Sequence, residues 1–246
     1  MLKQRVAIVG ALAGLVVLSW LYLFDEARQM AAMDPFMVMP PKGAADLLLL
    51  LAMWWIMMIG MMLPSAAPMI LTFAAINGRK RARGQPYTPT ALFASGYLLA
   101  WGGFSMAATV AQWALERASL LAPMTMKTTS PLLGGLLFVA AGLYQLTPLK
   151  TACLRSCRSP FDFVVNHWRD GAGGAVRMGV AHGLYCLGCC WILMTLLFAV
   201  GAMNLAWVAV LAAIVLVEKL FVGGEWLARF GGLLLIAWGV WLAVAS

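Results

Sequence analysis

The chain has 246 residues, of which 63% are hydrophobic and 11% charged. At a mean hydropathy of +0.90, one soluble core of this length has no room for so much apolar surface, so an integral membrane protein is expected. The net charge of +8 does not point to nucleic acid, because the cations fall in short loops between apolar runs, where they report orientation across a bilayer.

The first apolar run, Val6 to Phe24, follows Lys3 and Arg5 and is 19 residues long. That length crosses about 30 Å of hydrocarbon at about 1.5 Å per residue. It ends at Phe24-Asp25-Glu26 without a small-x-small cleavage site, so it reads as a retained first helix rather than a secretory signal. Residues 25–45 follow as an outer segment rich in Met and Pro, with Met30, Met33, Met37, Met39, Pro35, Pro40 and Pro41. The second span, about Asp46 to Ile76, covers 31 residues and exceeds the bilayer. Pro64 and Pro68 each remove a backbone donor from it, which predicts a break or kink between Leu63 and Pro68.

Spans three, four and five are placed at about Ala91–Trp113, Leu132–Thr147 and Met178–Val200. Glu218 and Lys219 interrupt the next apolar run, and two further spans are placed at about Met203–Phe221 and Trp226–Val244. The expected fold is an all-α membrane protein, a single integral membrane domain over residues 1–246. It is a bundle of about seven transmembrane helices, or six if the Leu205 region is re-entrant.

If the spans alternate, Lys3 and Arg5, then Arg79, Lys80, Arg81 and Arg83, then Lys150, Arg155, Arg158, Arg169 and Arg177 fall on one side. The positive-inside rule makes that side the cytoplasm, with the N-terminus there, as in a multi-pass protein of the bacterial inner membrane. Cys153 and Cys157 then lie in a cytoplasmic segment and Cys186, Cys189 and Cys190 within span five. With no cysteine on the oxidising side, free thiols are expected rather than disulfides. Glycines within the spans, such as Gly102-Gly103, Gly134-Gly135 and Gly231-Gly232, predict close helix packing.

Two runs carry unusual chemistry. Met53, Met57 and Met61 recur at helical spacing in span two, and Met58 and Met62 form the neighbouring stripe. A single Met is ordinary packing material, but five in ten residues make a continuous thioether face. In span five, His182, Cys186, Cys189, Cys190 and Met194 place an imidazole and several sulfurs on one side of a helix. Adjacent helical residues point about 100° apart, so Cys189 and Cys190 do not both reach one ion unless the helix is distorted. Met57 and Cys189 each fall roughly 15 Å from their respective entry points, near mid-bilayer. Thioether, thiolate and imidazole suit a soft metal, copper first and zinc second.

Cys153 and Cys157 are four residues apart, which shares a face only if the segment is helical, and two thiols are fewer than structural zinc requires. Their basic neighbours favour thiolates, although a charged juxtamembrane turn with incidental cysteines explains them as well. Met30, Met33, Met37, Met39, Met124, Met126 and Met203, with Asp34, would form an outer sulfur-rich surface. His167 with Asp162 and Asp170 reads as a solvated loop. Glu218 and Lys219 are functional suspects as intramembrane charges, with mutual pairing near the interface as the plainer account.

Three stretches, WWIMMIGMMLP (Trp54 to Pro64), YQLTPLKTACLRSCRSP (Tyr144 to Pro160) and GLYCLGCCWILM (Gly183 to Met194), resemble a bacterial family described as predicted metal-binding integral membrane proteins. The resemblance implies a multi-pass inner-membrane protein with metal ligands.

The metal-site candidates are therefore His182, Cys186, Cys189, Cys190, Met57, Met58, Met61, Met62, Cys153 and Cys157. The favoured function is soft-metal handling, transfer or insertion, with copper as the ion and a copper-dependent membrane enzyme or a soluble metal chaperone as partner. No Walker or aspartyl-phosphate motif is present to power transport, and no catalytic residue is assigned, which favours a role other than enzyme. The alternatives are a membrane redox subunit using haem or thiol chemistry, and a structural accessory subunit of a membrane complex. Haem with two histidine ligands would need both His167 and His182, which the sequence places in different surroundings.

Overall fold

A computed structural model describes residues 2–32, 43–122, 125–221 and 223–245. The described residues form nine helices and one small hairpin. The helices are α1 (Leu2–Ala32), α2 (Ala44–Ala82), α3 (Thr90–Arg117), α4 (Pro131–Gln145), α5 (Pro148–Arg158), α6 (Pro160–His167), α7 (Gly171–Val200), α8 (Leu205–Leu220) and α9 (Gly224–Val244). Between α3 and α4, β1 (Leu121–Ala122) pairs antiparallel with β2 (Lys127–Thr128).

Helices α1, α2, α3, α7 and α9 are long and apolar enough to cross a membrane. The remaining two of the seven expected spans have a different form. Helices α4 and α5 together are apolar enough for one span but meet at a 65° bend, and α8 has only 16 residues. Proline explains the bend. Pro148 at the first position of α5 cannot continue the hydrogen-bond ladder of α4, and the Thr147 hydroxyl caps the new helix by accepting from Lys150 N at 3.3 Å.

Helix α2 is not broken at Pro64 and Pro68, as its sequence predicts, but runs as one 39-residue helix through both. Hydroxyl groups serve backbone oxygens along this stretch. Ser65 Oγ and Tyr97 Oη both donate to Met62 O, at 2.8 and 3.1 Å, and Thr72 Oγ1 donates to Pro68 O at 2.8 Å. These bonds go to Met62 O and Pro68 O, whereas the carbonyls that the two prolines leave without a helical donor are those of Gly60 and Pro64, four residues earlier.

Helices α2 and α7 form the interior, and α1 and α9 lie at the periphery. Helix α7 lies against α3 with almost no separation. A Cβ on Gly96 would overlap Val176 O, and one on Gly179 would overlap Phe93 O. Helix α9 meets α4 in the same manner, through Gly135 against Gly239 and Gly142 against Gly232. At one end of the bundle Lys80 Nζ pairs with Asp170 at 2.6 Å, and Gln4 lies against Gly78. The basic groups around Lys3, Arg79–Arg83 and Arg169 therefore share that end, as the alternation of spans predicts.

Candidate metal centre

Three elements meet at the thiols: α7 supplies Cys186, Cys189 and Cys190, α5 supplies Cys157, and α8 adds Lys219. The three α7 cysteines and Cys157 are all buried, and all five cysteines are free. Cys157 makes thiol contacts with both Cys186 and Cys189. Cys190 Sγ lies 4.0 Å from Met62 Sδ on α2. The sulfur stripes of spans two and five thus meet through Met62.

Cys157 does not lie in an exposed turn: it is buried inside the bundle. The 65° bend turns α5 back into the bundle, and its buried face is Lys150, Leu154 and Cys157, spaced by four and three residues. Cys153 is partly buried beside the same cluster. Its Sγ occupies the space above Gly188, where a Cβ would come within 2.7 Å of the sulfur. Gly188 is what lets a second α5 thiol lie against α7. Tyr144 Oη donates to Gly188 O and fixes α4 to this point.

Lys150 is likewise no loop cation, because it is only 1% exposed and its Nζ lies 2.6 Å from Glu218 Oε2. Gln145 Nε2 donates to the other carboxylate oxygen of Glu218 at 2.7 Å. Glu218 and Lys219 are not paired with each other at an interface. Lys219 points into the cluster, with Nζ 2.8 Å from Cys186 Sγ and 3.0 Å from Ser65 Oγ. Tyr97 Oη lies 3.1 Å from the same sulfur. Tyr97, Ser65 and Lys219 are the groups around Cys186 that sequence reasoning did not assign to the site. The interruption of an apolar run by Lys219 was the one available signal.

The other candidates divide. Met57, Met58, Met61 and Met62 are all buried, and Met62 lies against the Cys190 thiol. His182 is buried among Phe93, Tyr97 and Phe163, and its Nδ1 has no hydrogen-bond partner. His167 stacks on the opposite partner of that group, Phe163, at 4.5 Å between centroids. Of the proposed outer sulfur surface, Met33, Asp34, Met37, Met39 and Met124 lie outside the described residues. Met126 is buried, while Met30 and Met203 pack partly buried against the core.

Among the described residues no three His, Cys, Asp or Glu side chains are arranged to hold a metal ion. Hydrogen bonding accounts for this. Cys189 Sγ and Cys190 Sγ both donate to Cys186 O at 3.0 Å, so these two thiols are turned back onto their own helix. Ligation would require each to leave that carbonyl and lose its proton. The donor chemistry, several thiols with a thioether alongside, suits a soft ion.

A family model described as PpoB2, copper chaperone, matches residues 51–242. No curated protein and no solved structure matches the chain.

Proposed function

The chain belongs to the PpoB2 copper-chaperone family, and from that premise we propose that it is a multi-pass inner-membrane protein that carries copper on the thiols between α5 and α7. Two thiolates drawn from Cys157, Cys186 and Cys189 hold the ion, Cys190 and Met62 flank them, and Cys153 and His182 adjoin. Met57, Met58 and Met61 continue the thioether wall along α2. The partner is a copper-dependent membrane enzyme that receives the ion, or a soluble chaperone that supplies it.

The observation that carries this reading is the meeting of Cys157 with Cys186 and Cys189 inside the protein. Two cysteine pairs far apart in sequence reach one another only because α5 folds back. A structural subunit has no need of that arrangement, and buried cysteines otherwise behave as small apolar groups.

The test is elemental analysis of detergent-solubilised protein expressed with added copper or zinc. Copper at a stoichiometric ratio is expected, and its loss in a variant with Cys186, Cys189 and Cys190 all replaced by Ala. Full copper retention in that variant, with helicity preserved, would overturn the proposal.

A further inference from the structure

Three charged side chains are buried among the described residues: Lys150, Glu218 and Lys219. Lys150 and Glu218 cancel each other at 2.6 Å. One positive charge remains, on Lys219, and its neighbours are the Cys186 sulfur at 2.8 Å and the Ser65 hydroxyl at 3.0 Å. A buried charge without a compensating partner is costly, so the thiol cluster around Lys219 favours a content with a net charge of minus one.

The charge of a loaded site depends on the ion. A thiol releases its proton when it ligates a metal, so two thiolates around a monovalent ion carry a net charge of minus one. Two thiolates around a divalent ion carry none. A divalent ion reaches minus one only with a third thiolate, and it also prefers about four donors. Cys189 and Cys190 are both turned onto Cys186 O, and no three His, Cys, Asp or Glu side chains among the described residues are arranged to hold a metal ion.

Resting on the copper reading above, we infer that Lys219 sets the charge of the ion this site accepts. Its ammonium, 2.8 Å from the Cys186 sulfur, offsets a monovalent ion held by two thiolates and disfavours a divalent ion held in the same way. Lys219 ligates nothing and acts through Cys186, as a specificity-determining residue. The Lys150–Glu218 pair leaves it no carboxylate partner, because Glu218, the buried carboxylate among the described residues, is engaged on both oxygens.

The experiment measures affinities for Cu(I) and Zn(II) by chelator competition on the full-length protein in detergent. Wild type is compared with Lys219→Met, Lys219→Arg and Glu218→Gln. Removing the charge in Lys219→Met is expected to lower the Cu(I)-to-Zn(II) affinity ratio by at least about tenfold. Lys219→Arg should hold the ratio within about threefold, since it keeps the charge. Glu218→Gln adds a net positive charge and should raise the ratio.

An unchanged ratio in folded Lys219→Met, or an equal fall in Lys219→Arg, would overturn the inference. If Lys219→Met does not fold, Glu218→Gln decides, and a fall in its ratio overturns the inference. Wild-type protein that binds Cu(I) while its variants keep the same ratio removes only the role of Lys219. Wild-type protein that binds no Cu(I) removes the copper reading as well.

Discussion

The two halves of α7 use one stripe of residues in opposite ways. Gly179, Gly183, Cys186 and Cys190 follow one another at intervals of four, three and four, and so share a face. In the first half the stripe is bare backbone, and Gly179 touches Phe93 O while Gly183 accommodates Ala100. In the second half it is sulfur, and the space is filled by side chains from three directions: Tyr97, Met62 and Lys219. A rigid backbone contact thus lies two turns from a cluster of thiols. The glycines fix where α7 sits, and the cysteines need only rotate their side chains.

Substitution at the glycine half would break this comparison most severely. In Gly179→Val a branched side chain would collide with Phe93 O, and a loss of about 3 kcal/mol or more is expected in unfolding of the solubilised protein. Gly173→Val, where a Cβ meets nothing within 4 Å, is the control. It should stay within about 0.5 kcal/mol of wild type.

At the cysteine half the effects should appear in binding instead. Cys157→Ser removes the thiol that joins α5 to α7, and Cu(I) affinity is expected to fall by at least about a hundredfold, with the melting temperature little changed. A large drop in melting temperature with intact affinity would show that Cys157 packs rather than ligates. Met62→Leu keeps the volume and removes the thioether beside Cys190. A loss of about tenfold in affinity is expected there, against none for Met53→Leu.

The smallest effect concerns the end of α7. The ammonium of Lys80, with the Trp168 indole N–H, holds the Asp170 carboxyl below the usual aspartate range. Its contribution is present above that range and is lost as pH falls through the depressed value. Asp170→Asn should lower the melting temperature slightly at neutral pH, and the difference should vanish in strong acid, as a thermal melt at each pH would show.

Much of this arrangement was legible in the residues. The Met and Cys stripes stood out because helical periodicity is local, and all five methionines of the α2 cluster are buried. The path of α5 was not legible. Lys150, Arg155 and Arg158 read as loop cations, whereas the fold spends them differently: Lys150 on Glu218 inside, and Arg155 on Glu225 at 2.8 Å near the surface.

The amphipathic spacing of Lys150, Leu154 and Cys157 was the available clue, masked because a buried lysine looks like a solvated one until its carboxylate is found. Pro64 and Pro68 misled for a related reason. A proline reports the loss of one helical bond, not the interior packing that holds α2 together on both sides of it. The partner of Lys219 was hidden as well, since 33 positions separate it from Cys186.

The shared acceptor at Cys186 has a kinetic consequence. Its carbonyl anchors two S–H groups in addition to the ordinary helix ladder, so detaching them costs α7 none of its main-chain bonds. On the copper reading proposed above, freeing either thiol to take or give up the ion would demand torsional swings of a few atoms rather than any local melting.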